Sequence, residues 1–215
     1  MDAPKIDLKC DINDSRLLIS ARSPFARRVR LAFLENSIRY EERIMDVFHP
    51  TEELLNLNPL GRVPILVLKS GETIIDSSFI LKLLYETIQS PLTTSSMGDR
   101  LSCYQWSGIA LGLCEKIVEY YLGTLLPEPK QDQELFEEAK GIFKRVLRQF
   151  ENYIGDREFI AAGKLTQADL DMGTALAYLS LRGSQKWSLN HPNSARYLQK
   201  LQERPSFIKT TPPPA

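Results

Sequence analysis

Only three cysteines, Cys10, Cys103 and Cys114, occur in 215 residues, and no two of them form a CxxC pair. So sparse a set excludes a disulfide framework or a cysteine zinc site, and it fits reduced thiols in the cytosol. An excess of one charge sign is also lacking: 27 Lys plus Arg balance 27 Asp plus Glu, and the sequence pI is near 6.8. Without a basic excess there is no electrostatic footprint of a nucleic-acid binder, and a polyanionic partner is not expected. Long apolar runs are missing too. The opening MDAPKIDLKCDINDS carries charges throughout and has no apolar core, so no secretory leader is expected. The longest weakly polar stretch, Trp106 to Cys114, is far short of the roughly 20 residues of a membrane crossing. These absences predict a soluble, cytoplasmic protein without metal. Hydrophobic residues nevertheless supply 43% of the chain, enough for a sizeable core.

From Arg16 to Glu86, short apolar runs alternate with helix-like segments. RLLIS reads as a buried strand, Pro24 to Glu35 as a helix, RYEERIMDV as a second strand and Pro50 to Leu57 as a short helix. VPILVL and ETII follow as strands joined by Lys69-Ser70-Gly71, with Gly71 suited to the positive φ of a tight turn. Asp76 to Glu86 reads as a closing helix. Strands alternating with helices and ending in a hairpin predict an α/β unit with a mixed four-stranded sheet. The segment IQSPLTTSSMGD then has a linker's composition, and no strand signal follows it.

Trp106, Ala110, Leu113, Ile117 and Tyr121 are spaced at four, three, four and four residues, on one face of a helix. Leu135, Ala139, Ile142, Val146, Phe150 and Tyr153 repeat that geometry. Thr166-Gln167-Ala168-Asp169 reads as a capping box, with Leu165 and Leu170 as its hydrophobic staple. It opens a nearly uncharged helix that must be buried all round. Asn193 to Glu203 is a last short helix, and KTTPPPA is expected to fray. The predicted organisation is an extension (1–15), an α/β domain (16–88), a linker (89–97), an all-helical domain (98–208) and a tail (209–215).

Three places carry possible chemistry. In ISARSPFARRVRLAF, Ser23 suits an N-cap and Pro24 the first helical position. The same geometry collects backbone N–H groups and partial positive charge, which stabilises an anion, including a thiolate. In NPLGRVPIL, Pro64 stands at a strand start, where it cannot donate to the ladder. It is either an ordinary edge proline or a cis bond that turns the Val63 N–H and C=O toward an extended peptide. In IIDSSFILKLL, Asp76 is either a helix cap or, with Ser77, a pair that binds the ends of a ligand.

In this order and spacing, Ser23-Pro-Phe-Ala-Arg-Arg-Val-Arg, Asn-Pro-Leu-Gly-Arg-Val-Pro64, Asp76-Ser77 and an all-helical half with Thr-x-x-Asp resemble the glutathione transferase superfamily. The likeness runs from Arg16 to the tail and is strongest to bacterial members with serine at the catalytic position; the plant tau-type enzymes also present Ser-Pro-Phe there. The resemblance implies a thioredoxin-like glutathione-binding domain, a helical domain facing the electrophile, and a homodimer. It implies that Ser23 donates to the glutathione sulfur, that Val63 beside Pro64 pairs with the cysteinyl unit, and that Asp76 and Ser77 hold the γ-glutamyl end. Phe25, Arg62 and His49 complete the implied glutathione contacts, the last two as candidates for the glycyl carboxylate, although a solvent-facing arginine and a loop histidine are the alternatives. Most relatives carry Glu where this chain has Asp76, which shortens the reach by one methylene.

The energetics of that role close. A thiol pKa of roughly 8.5 leaves about 3% thiolate at pH 7, and lowering it by ~2 units makes about three quarters of it thiolate at a requirement of ~2.7 kcal/mol. A hydrogen bond to the charged sulfur supplies ~1.5 to 3 kcal/mol and the helix terminus ~0.3 to 1 kcal/mol. A hydroxyl at position 23 cannot form the mixed disulfides of cysteine-bearing members, so conjugation to a small apolar electrophile or reduction of organic hydroperoxides is expected. The alternative is a non-catalytic, protein-binding member of the stringent starvation type. Arg27, Arg28 and Arg30 spread around their helix and are expected to form salt bridges to the second domain or a solvated face. Tyr104, Trp106 and Tyr121 are expected either in the electrophile pocket or in the core.

Overall fold

The computed structural model describes residues 11–183 and 186–214, so Cys10 and most of the expected extension lie outside the described residues. The chain divides into two compact units, one ending at Thr93 and the other beginning at Thr94.

Among the described residues the first unit is a four-stranded mixed sheet with helices against it, a thioredoxin-like arrangement. Strands β1 (Ser15–Ile19), β2 (Tyr40–Ile44), β3 (Ile65–Val67) and β4 (Thr73–Ile75) are ordered β2-β1-β3-β4. β1 pairs in parallel with β2 and antiparallel with β3, and β3 pairs antiparallel with β4. β1 is central, which explains its run of buried residues broken only by Arg16. On one face, Leu18, Met45, Leu54, Ile65 and Val67 form a cluster closed by Leu57 of the short helix α2 (Glu52–Leu57). Strand alternation sends Leu17 and Leu66, which face each other in the register, to the opposite side. Helix α1 (Pro24–Glu35) packs with α3 (Ser77–Thr87), burying Val29, Leu31 and Phe33 of the first and Ile80, Leu81 and Leu84 of the second, while Phe79 stays exposed.

Residues 11–15 are integral to this unit rather than an appendage. Ile12 is buried, the Asp14 N–H donates to the Arg39 carbonyl at 2.8 Å, and Ser15 already belongs to β1. The second strand is shorter than the sequence suggests, because its edge position leaves all but Tyr40 exposed.

The second unit is helical. Helix α4 (Met97–Thr124) starts within the expected linker, where Ser96 caps it by accepting from the Asp99 N–H. Ahead of it, Ser90 and Leu92 are buried and joined by a hydrogen bond, so this stretch is a folded turn. Helix α5 (Gln133–Ile154) is strongly amphipathic and stops at Gly155, whose φ is +42°. Helix α6 (Gln167–Arg182) is buried along most of its length, as its lack of charge requires, and packs chiefly on α4. A Cβ at Gly173 would stand 2.7 Å from Leu201 and 2.9 Å from Phe207, so only glycine admits that approach. Helices α7 (Pro192–Gln202) and α8 (Pro205–Lys209) finish the unit. The tail does not fray from Lys209 onward: Thr210 is buried and its hydroxyl donates to the Ser206 carbonyl at 2.9 Å.

Candidate functional site

Ser23 ends a turn in which its N–H donates to the Ser20 carbonyl at 3.0 Å, and it then caps α1. Its hydroxyl oxygen accepts from the Ala26 N–H at 3.2 Å. A hydroxyl has one proton and two acceptor positions, so this contact leaves the Ser23 proton uncommitted. Pro24 fills the first helical position, and Phe25 is half-buried beside it.

The turn before β3 is built by Asn58. Its side chain accepts from the Leu60 N–H at 3.1 Å and donates to the Arg62 carbonyl at 2.8 Å, while Gly61 adopts a φ of +61°. The Val63–Pro64 bond that follows is cis, the second of the two readings that the sequence left open. Among the described residues, neither the N–H nor the C=O of Val63 takes part in a backbone hydrogen bond. Val63 is half-buried, so these groups are open to water or to a ligand.

At the start of α3, Asp76 is the N-cap and accepts from the Ser78 N–H at 2.7 Å. Its φ of 69° with ψ of 130° lies where L-residues are strained by about 1 to 3 kcal/mol, a cost that functional sites tend to carry. Asp76 is exposed, whereas Ser77 is 3% exposed. The Ser77 hydroxyl accepts from Arg28 Nη1 at 3.1 Å, and the Ser78 hydroxyl accepts from the same nitrogen at 3.3 Å. The first unit thus presents two serine hydroxyls, Ser23 and Ser77, that are held as acceptors at helix N-termini and donate to no group among the described residues.

The other expected contacts are not gathered by the same hydrogen bonds. His49 is exposed in the loop after β2 and faces Asp46 across 3.1 Å, an interaction that holds the Asp46 carboxylate below its ordinary range. Arg62 is exposed, and its side chain contacts no partner among the described residues. The basic run of α1 corrects the sequence reading. Arg27 and Arg28 are buried rather than solvated, and Arg30 pairs at 2.7 Å with Glu42 on β2. Burial, helped by the neighbouring Arg30 charge, lowers the Arg27 pKa to about 10. The burial of Arg28 against Ser77 and Ser78 is what sequence reasoning missed, because helical spacing cannot tell a buried guanidinium from a surface one. In the second unit the aromatic candidates part company. Trp106 is core, with ring centroids 5.1 Å from Phe150 and 4.7 Å from Tyr153, Tyr104 is exposed, and Tyr121 lies under the Arg182 guanidinium at 3.9 Å.

A cavity of about 400 Å³ opens between α2 and the sheet, lined by Arg16, Arg43, Glu52, Glu53 and their apolar neighbours, and it includes none of the expected site residues. Among the described residues no cluster of His, Cys, Asp or Glu is arranged to hold a metal, and no helix is long and apolar enough to cross a membrane.

A thioredoxin-like unit with a cis-proline before β3 and serines at the N-termini of α1 and α3, followed by a helical unit, is a two-domain arrangement. Family models describe both halves: the glutathione S-transferase N-terminal domain matches residues 22–87 and the C-terminal domain matches residues 113–205. The chain belongs to the glutathione S-transferase superfamily. It is 24% identical over 202 residues to the Escherichia coli protein described as uncharacterized GST-like protein YibF, covering 93% of this chain and all of that one. It is 27% identical over 201 residues to the chloroplastic glutathione S-transferase DHAR3 of Arabidopsis thaliana, covering 87% of this chain and 68% of that one. A glutathione S-transferase of Methylobacterium radiotolerans, solved with glutathione sulfonate, superposes with a TM-score of 0.88 at 27% identity, covering 94% of this chain and 96% of that one. One from Methylobacillus flagellatus, solved with glutathione, gives 0.86 at 28%, covering 93% and 100%.

Proposed function

We propose that this chain is a glutathione transferase that binds glutathione on its first unit and transfers the thiolate to a small apolar electrophile, or uses it to reduce organic hydroperoxides. The observation that carries the reading is the matched state of Ser23 and Ser77. Each hydroxyl accepts from the protein and has its proton left for a ligand. Ser23 gives its proton as a hydrogen bond to the sulfur at the positive end of α1 and so favours the thiolate. Val63 pairs its backbone with the cysteinyl unit, Ser77 donates to the γ-glutamyl carboxylate, and Asp76 faces the ammonium through the carboxylate oxygen that Ser78 does not use. The Arg62 guanidinium and the His49 ring are offered to the glycyl carboxylate, and Phe25 flanks the sulfur. Two similar structures were solved with glutathione or its sulfonate bound, which supports the same ligand here.

The test is turnover of chlorodinitrobenzene and of cumene hydroperoxide with glutathione. Ser23→Ala is expected to lower turnover by about ten- to a hundredfold, the worth of one hydrogen bond to a charged sulfur. Equal rates for the two proteins would remove Ser23 from the mechanism. Calorimetry that detects no heat with millimolar glutathione would favour a protein-binding role instead. A homodimer in the cytoplasm is part of the proposal. Met97, Leu101 and Tyr104 recur at helical spacing on α4 and are 62%, 61% and 68% exposed, an apolar stripe that suits a second copy. Light scattering is expected to give twice the 24.5 kDa chain mass, and Leu101→Glu is expected to shift the population to the monomer.

A further inference from the structure

Arg28 is an unusual residue to find where it is. It is 5% exposed, and it directs Nη1 into the first turn of α3, at 3.1 Å from the Ser77 hydroxyl and 3.3 Å from the Ser78 hydroxyl. A helix N-terminus already carries partial positive charge, so a guanidinium placed there adds to a potential of the same sign. The hydrogen-bond directions give the arrangement a second effect. Arg28 has only donors, so it fixes Ser77 Oγ as an acceptor and turns the hydroxyl proton away from itself. A hydroxyl that accepts from a cation is polarised and becomes a stronger donor through its own proton.

We propose that Arg28 is the positioning residue that sets recognition of the γ-glutamyl carboxylate, acting through Ser77 rather than by touching glutathione. This rests on the reading of Ser77 as a glutathione contact and deepens it. The same side chain also ties the two ends of the site together. Arg28 rises from the helix whose first turn is capped by Ser23, and it ends on the first residue of the helix capped by Asp76. One buried side chain thus links the helix that Ser23 caps to the first turn of the helix that Asp76 caps.

The test compares glutathione with 4-aminobutyryl-cysteinyl-glycine, which keeps the ammonium, the thiol and the glycine but lacks the γ-glutamyl carboxylate. Calorimetry on the whole chain is expected to give a wild-type preference of about tenfold or more for glutathione. In Arg28→Met that preference is expected to fall to about twofold, through weaker glutathione binding with the analogue's affinity little changed. In turnover, the larger part of the loss should lie in the KM for glutathione rather than in kcat. Arg28→Lys, which restores the charge, is expected to recover part of the preference, and it replaces Arg28→Met as the deciding variant if the latter does not fold. Equal weakening of both ligands in the folded variant, or an unchanged preference, would overturn the role of Arg28. A wild-type protein that binds neither ligand would instead overturn the glutathione reading on which the inference stands.

Discussion

Two helix N-termini, one in each unit, are built from buried polar groups, and they end in opposite conditions. At the start of α6, Asp169 is fully buried and accepts from the Thr166 N–H and hydroxyl at 2.7 Å, from the Ile160 N–H at 2.8 Å and from the Tyr197 hydroxyl at 2.9 Å. Burial pushes its carboxyl pKa up, and four donors pull against that. Every group there finds a partner inside the unit. At the start of α3, Ser77 is as well buried, yet its hydroxyl proton meets no acceptor among the described residues. A closed network fixes structure, whereas the Ser77 hydroxyl keeps one proton over, which is the proton that the proposed function uses. The difference separates two capping motifs that look alike as strings of Ser, Thr and Asp.

The contrast can be broken from either side. Asp169→Ala leaves the Ile160 and Thr166 N–H groups and the Tyr197 hydroxyl buried without their acceptor, and it is expected to cost about 3 to 5 kcal/mol in urea unfolding. Ser77→Ala takes one acceptor from buried Arg28 but leaves it the Ser78 hydroxyl, so its expected cost to unfolding is only about 1 kcal/mol, while the KM for glutathione rises about tenfold. A Ser77 variant that unfolded as readily as the Asp169 variant would erase the distinction. The smallest effect concerns Glu151 on α5, which caps α7 in trans by accepting from the Asn193 N–H at 2.9 Å, the Ser194 N–H at 2.8 Å and the Ser194 hydroxyl at 2.7 Å. Partial burial works to raise the Glu151 pKa, but those donors outweigh it and the net shift is downward. Because the folded value lies below the unfolded one, this stability is present above the ordinary glutamate range, near about 4.3, and is lost as pH falls through the folded value. Urea unfolding is expected to separate wild type from Glu151→Gln by about 1 kcal/mol at pH 7, and to bring the two together as the pH drops below about 4.

Much of this was legible in the residues themselves. The span of α1 was readable because Ser23 and Pro24 mark its start and apolar spacing carries it to Glu35. Thr166 and Asp169 announced α6 for the same reason, since a cap is a contact between residues three apart. The start of α4 falls one residue before the expected helical domain, where Ser96 accepts from the Asp99 N–H. The part that residues 11–15 play was not legible, because burial of Ile12 is a property of the folded unit and has no local signature.

Local chemistry therefore determined which segments become helix or strand, where the serine caps fall and which family pattern the chain follows, since each depends on neighbours within one or two turns. The tertiary structure decided the fate of Arg28. A guanidinium reaches a serine 49 positions away only when two helices pack side by side, and whether a hydroxyl proton is spent or spare depends on every atom around it.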